Sequence, residues 1–161
     1  MRHGKAESFA TDDHLRRLTE RGVREVRAAA QWLADEDLVP THAFVSSAVR
    51  TQQTWAHLVE VTGADIEPVV DDAIYTASPD SALDILRGTP KPAEVVLYLG
   101  HNPTASSLAH LLEDGDPDPE AFRGITAGMS TSAMAVLDVH VAWADLDAAS
   151  TRLIGFYPGL G

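Results

Sequence analysis

Residues 94–100, EVVLYLG, form a near-continuous apolar run of the kind that makes a strand buried on both faces. Such a strand needs cover on each side, and the cover is written directly after it. His101-Asn102-Pro103 leads into a segment in which Ala105, Leu108, Leu111 and Leu112 fall on one helical face. The same passage from strand to helix occurs earlier. Residues 42–47, HAFVSS, have strand character, and Ser47 is placed to cap a helix whose Trp55, Leu58, Val59 and Thr62 share a face before Gly63 ends it. Between residues 19 and 38, Val23, Val26, Ala30 and Leu33 recur at helical spacing among charged residues, which predicts an amphipathic helix. Ser78-Pro79 pairs a capping residue with a proline at the first helical position, and Leu83, Ile85 and Leu86 follow before Gly88. Residues 131–141 (TSAMAVLDVHV) and 151–156 (TRLIGF) predict a hairpin, and the acidic, proline-containing 113–122 predicts a surface loop. Alternating strands and helices imply a three-layer α/β domain with a mostly parallel central sheet flanked by helices.

The 161 residues suit one domain, 1–161, with a near-average apolar fraction of 45%. Against 24 Asp and Glu stand 12 Lys and Arg, a net charge of -12 that repels nucleic-acid phosphates and anionic bilayers alike. No apolar run is long enough to span a membrane, and the N-terminal MRHGKAES has no secretory apolar core, so a cytoplasmic location is expected. The chain has no cysteine, which excludes disulfides, thiolate metal sites and thiol nucleophiles. Covalent chemistry must therefore use another group.

The groups that remain converge. Arg2-His3-Gly4, Arg50 and His101 all lie at the carboxyl ends of strands, and in open parallel sheets those ends share one edge, where ligands bind. Two arginines offer guanidinium forks that match phosphate oxygens, and the adjoining helix N-termini add partial positive charge. One neutral imidazole there can attack phosphorus and carry the phosphoryl group, while the arginines and the second histidine balance charge on its oxygens. Like-charge repulsion from the arginines favours the neutral form of His3, so activity is expected to fall at acid pH.

The ordered segments MRHGKAE, RRLTERG, SSAVRTQQT and YLGHNPT, with the late GMSTSAMAVLDV, resemble the histidine phosphatase superfamily in its short SixA-type phosphohistidine phosphatase branch. Each tetrapeptide alone is a weak signal, but four in order across most of the chain are specific. The resemblance implies a phosphoglycerate mutase-like fold in which His3 accepts the phosphoryl group, Arg2 and Arg50 clamp it, and His101 stabilises the transferring oxygens. It implies Arg16, Gly4 and Asn102 as substrate-binding groups and places Asp72, ahead of Ile74-Tyr75, as the general acid in preference to Asp71. Family members use no metal and no cofactor, and the chain carries no HExxH and no P-loop. The family has an apolar strand before its RHG motif where this sequence has only Met1, so the sheet is expected to lack that strand and His3 to lie on a fraying end.

The activity implied is a metal-independent phosphatase acting on protein phosphohistidine or on a small phosphomonoester. The absence of long insertions leaves an open cleft that suits a phosphoprotein. The alternatives are a phosphate-binding module of the same fold without turnover, and a phosphomutase. His14, His42, His57, His110 and His140 match no motif and read as surface or packing residues, and Trp32, Trp55 and Trp143 as core or rim aromatics.

Overall fold

The computed structural model describes residues 1–160. Three short strands, β1 (His42–Ser46), β2 (Val69–Asp71) and β3 (Val96–Leu99), form a parallel sheet in the order β2-β1-β3. Alternation along β1 and β3 supplies both faces of this sheet. Ala43, Val45, Leu97 and Leu99 pack toward α1 (Glu20–Asp35) and α2 (Val49–Thr62), with Ala29, Ala30, Leu33 and Leu58 in the same cluster. Phe44 and Tyr98 point the other way, into a second cluster with α4 (Pro79–Arg87) and α5 (Thr104–Leu112) through Leu83, Leu86, Leu108 and Leu112. The architecture is thus helix, sheet, helix, with the carboxyl ends of β1 and β3 on one edge.

Local chemistry explains the helix limits. Thr19 caps α1 by accepting from Gly22 N, Ser78 caps α4 by accepting from Ser81 N, and Gly63 in the left-handed conformation (φ 69°) ends α2. The hairpin is present as β4 (Met134–Val139) and β5 (Thr151–Tyr157), antiparallel and apart from the parallel sheet. Two expectations need correction. Ser47 does not cap α2; Ala48 occupies that position without a side-chain bond, and the Ser47 hydroxyl pairs with the His14 ring. The loop expected over 113–122 ends at Asp118, whose carboxylate accepts from Glu120 N and Ala121 N and starts α6 (Pro119–Ala127). Asp118-Pro119 carries the same cap-then-proline signal as Ser78-Pro79, and the acidic composition hid it. The short α3 (Asp72–Tyr75), capped by Asp71, was not foreseen either.

Among the described residues no strand lies between β3 and β4. A slot of about 450 Å³ separates them, lined by Met1, Leu97, Met134, Val136 and Val139 among others. Met1 lines this slot, and the first three residues are tied down on both sides rather than frayed. The Met1 amine donates to Tyr98 O (2.9 Å), Gly100 N to Met1 O (3.1 Å) and His3 N to Gly100 O (3.1 Å). On the opposite side Arg2 N donates to Ala133 O (3.0 Å) and Ser132 N to His3 O (3.1 Å). Arg2 therefore forms one rung of parallel pairing with Gly100, and the bonds to Ser132 and Ala133 link this rung to the segment before β4. Among the described residues no helix is long and apolar enough to cross a membrane.

The stretch after His3 is held against α1 at Gly22, where an added Cβ would lie 2.0 Å from the Lys5 carbonyl oxygen. Backbone cannot yield there as a flexible side chain can. Gly22→Ala is expected to cost about 2 kcal/mol as an overpacked contact, read as a fall of about 4–8 °C in melting temperature. An unchanged melting temperature would show that this approach is not tight.

Candidate active site

His3 is 8% exposed and Arg50 5% exposed, and both lie on the edge formed by the ends of β1 and β3. The His3 Nδ1 lies 2.7 Å from Gly4 O. A carbonyl only accepts, so Nδ1 carries the proton and Nε2 carries the lone pair. That Nε2 faces Arg50, whose Nε donates to it at 3.3 Å. His101 follows β3 directly, its ring 5.1 Å from that of His3. Arg50 Nη2 approaches His101 Nδ1 at 3.3 Å; because a guanidinium only donates, this nitrogen accepts and His101 Nε2–H donates to Ser46 Oγ at 2.8 Å. Both rings are thus oriented, one by a glycine carbonyl and one by a buried serine hydroxyl.

Arg50 sits in the first turn of α2, against the helix dipole. Its backbone is tied in: Thr54 Oγ1 donates to Arg50 O (2.7 Å) and accepts from Gly4 N (3.0 Å), linking α2 to the His3 segment. Arg2 donates through Nη1 to Met129 O (2.8 Å), and its Nε is buried without a partner among the described residues. Arg16 reaches the site through Asp13, to which its Nη1 donates at 2.7 Å. Gly4 and Asn102, expected to bind substrate, use their amide hydrogens inside the protein, Gly4 on Thr54 and Asn102 on Met129 O (2.9 Å). Asp72 is exposed at the start of α3, and its carboxylate makes no hydrogen bond or ion pair with any site group among the described residues. The geometry thus brings His3, His101 and Arg50 into direct contact, adds Arg16 through Asp13, and sets Arg2 beside His3 in the chain with its guanidinium on Met129 O.

Several participants were missed by sequence reading. Asp13 accepts from Arg16, from Arg50 Nη2 (3.0 Å) and from Tyr75 OH (2.7 Å). Tyr75 stands edge-on to His101 and His14, and Arg50 lies over its ring. Ser46 belongs to the SSAVR segment, but nothing in the local pattern says that it faces a histidine 55 residues away.

Burial dominates the electrostatics. Desolvation pushes His3 down to about 4, with Arg50, Arg2 and Arg16 adding to the fall and the Gly4 bond opposing it. His101 is pushed down to about 3, again by desolvation first and then by His3 and Arg50. The like-charge repulsion expected from the sequence is real but secondary. Asp13 is held well below the usual carboxylate range by the Tyr75 hydroxyl and by Arg16. The site is therefore two neutral imidazoles beside ionised arginines, with the lone pairs of His3 Nε2 and His101 Nδ1 both turned toward Arg50.

The family model of the histidine phosphatase superfamily (branch 1) matches residues 1–74. An uncharacterized protein of Mycobacterium tuberculosis is 33% identical over 159 residues, covering 98% of both chains. The solved structure of a protein from Nakamurella multipartitia, assigned as a phosphohistidine phosphatase SixA, is 32% identical and superposes with a TM-score of 0.87 over 100% of this chain and 94% of its own. The chain belongs to the histidine phosphatase superfamily. Its form is SixA-type: a protein histidine phosphatase SixA solved with tungstate is 26% identical and matches at a TM-score of 0.74, over 86% of this chain and 85% of that one.

Protonation of His3 removes the lone pair, so activity is lost as pH falls through the His3 value, not through the ordinary histidine range. The His3 ring is expected to titrate near pH 4 by NMR, leaving reactivity flat between about pH 5 and 7 on this account. A midpoint at the ordinary 6.5 would mean the ring is solvated.

Proposed function

We propose that residues 1–161 act as a single histidine phosphatase domain that hydrolyses protein phosphohistidine through a covalent intermediate on His3, without a metal. The observation that carries this reading is the His3 Nε2 lone pair, fixed by the Nδ1 bond to Gly4 O and facing Arg50 and the His101 ring. The steps follow from that geometry. Nε2 attacks phosphorus, the new N–P bond forms as the bond to the leaving group breaks, and Arg2, Arg50 and Arg16 meet the charge on the phosphoryl oxygens. His101, kept neutral by burial, stands beside the same oxygens, and its Nδ1 holds the Arg50 Nη2 donor toward them. Water then attacks phosphorus on the opposite side, the N–P bond to His3 breaks, phosphate departs, and the water's proton passes to solvent. Metal independence is supported by the guanidinium groups, which supply positive charge where a metal would otherwise be needed.

The choice of substrate rests on the leaving group. An alkoxide needs a proton as it departs. Asp72 is exposed and bonded to no site group, and Asp13 is held ionised by Tyr75 and Arg16, so neither carboxylate is held as a proton donor. An imidazole departs as a neutral molecule once its second nitrogen has taken a proton from solvent, and it needs no acid from the protein. Phosphohistidine therefore fits this site better than an alkyl phosphomonoester, in keeping with the similarity to SixA phosphohistidine phosphatases. A cytoplasmic phosphoprotein is the partner this reading implies.

Two tests follow. Incubation with a phosphoramidate donor is expected to leave an acid-labile phosphoryl adduct on the wild type and none on His3→Ala by intact mass, with phosphate release from the wild type only; binding of phosphate without turnover would instead indicate a binding module. Arg50→Ala is expected to lower kcat/KM roughly 100- to 1,000-fold with the fold retained, the loss typical of a charge-stabilising donor. Faster turnover of alkyl phosphates than of phosphohistidine would overturn the substrate assignment.

A further inference from the structure

We infer that Asp13 is the positioning residue of the phosphoryl clamp: it holds Arg50 by one edge so that the other edge faces the two histidines. The inference rests on the phosphoryl-pocket reading above and concerns how that pocket is assembled.

A guanidinium has two usable edges, an end-on edge formed by Nη1 and Nη2 and a side-on edge formed by Nε and Nη2. Asp13 takes the whole end-on edge of Arg50. Nη1 donates to the Asp13 backbone carbonyl at 2.7 Å and Nη2 to its carboxylate at 3.0 Å. The side-on edge is left to the site, where Nε lies 3.3 Å from His3 Nε2 and Nη2 lies 3.3 Å from His101 Nδ1. Both distances are long for such bonds, and the donors can turn to phosphoryl oxygens without releasing Asp13. An oxyanion between the histidines therefore occupies one edge while Asp13 keeps the other. The same carboxylate accepts from Arg16 and Tyr75, so one acid sets three groups drawn from three separate segments.

The backbone carries Asp13 there by a closed excursion. Ala6 and Leu18 pair antiparallel, Glu7 N donates to Arg17 O and Thr19 N to Lys5 O, so residues 8–16 leave and return at one point. At the tip, Asp12 caps a single 3-10 turn, Asp13–Leu15, which lays the Asp13 carbonyl and carboxylate against Arg50. Asp13 is 52% exposed, so it contributes little to the core, and its contacts are with groups of the site. Its removal is expected to leave the fold intact and to loosen the clamp.

The opposite reading is that Asp13 is an internal anion that blocks the clamp until substrate displaces it. The two readings differ in sign. If Asp13 positions Arg50, Asp13→Ala binds tungstate roughly ten- to hundredfold more weakly, with kcat/KM falling in step, as expected when a reacting group is slightly misplaced. If Asp13 blocks the clamp, the variant binds tungstate more tightly. The measurements are tungstate titration by calorimetry on wild type and variant, the melting temperature of each, and the Arg50 Nε–H resonance. That resonance is expected to be sharp in the wild type and broadened in Asp13→Ala. A general loss of folded protein would lower the active fraction without weakening the tungstate affinity of what remains, and would so overturn the proposal. Asp13→Asn keeps one acceptor oxygen and is expected to fall between the two. Equal or tighter binding by Asp13→Ala sinks the role of Asp13 alone, whereas a wild type that binds no tungstate sinks the pocket and this role together.

Discussion

His3 and His101 face one another because two backbone hydrogen bonds at Gly100 bracket Arg2: Gly100 N donates to Met1 O, and His3 N donates to Gly100 O. This single rung of parallel pairing fixes the nucleophile candidate against the end of β3, and the return bonds to Ser132 and Ala133 fix it against the start of the hairpin. Thr54 then ties Gly4 to the first turn of α2, which carries Arg50. Three elements far apart in sequence are thus locked by main-chain bonds and one threonine. Groups set on backbone in this way are held more closely than groups on free loops, which is what in-line attack requires.

Around that rung the protein concentrates cations while its whole surface is acidic, with a net charge of -12. The acidic field repels polyanions, and a small phosphoryl group is still received because the local charge is reversed within a few ångströms. Burial does the rest. It removes the imidazoles from the range in which they would be charged at neutral pH, so the arginines are the cations that meet the oxygens. The one carboxylate drawn into this set, Asp13, lies behind Arg50 and ionised, not in front of the leaving group. A site with this balance suits a leaving group that departs neutral.

Much of the fold was legible. The strand-to-helix passages at 42–62 and 94–112, the capped α1 and α4 and the late hairpin depend on patterns within a few residues, and those patterns survive folding. What escaped were elements whose local signal was mixed. The start of α6 was obscured by surrounding acidic residues, and β2 is an exposed edge of three residues that pairs only because β1 lies beside it. His14 shows the same limit among side chains. It reads as an unassigned surface histidine, yet its ring bonds Ser47 and meets Tyr75 edge-on.

By itself, the sequence determined which residue types lie at the carboxyl ends of β1 and β3 and beside them: the two histidines and the arginines. Motif spacing and strand periodicity are local properties of the chain, so they are readable without coordinates. Only the tertiary structure decided which nitrogen of each ring holds its proton, that Asp13 reaches the clamp, and that desolvation outweighs arginine repulsion in keeping the imidazoles neutral. The His101 tautomer and the Asp13 contact depend on partners 55 and 37 residues away, and the neutral imidazoles on exclusion of water; both arise only when separate segments pack against one another.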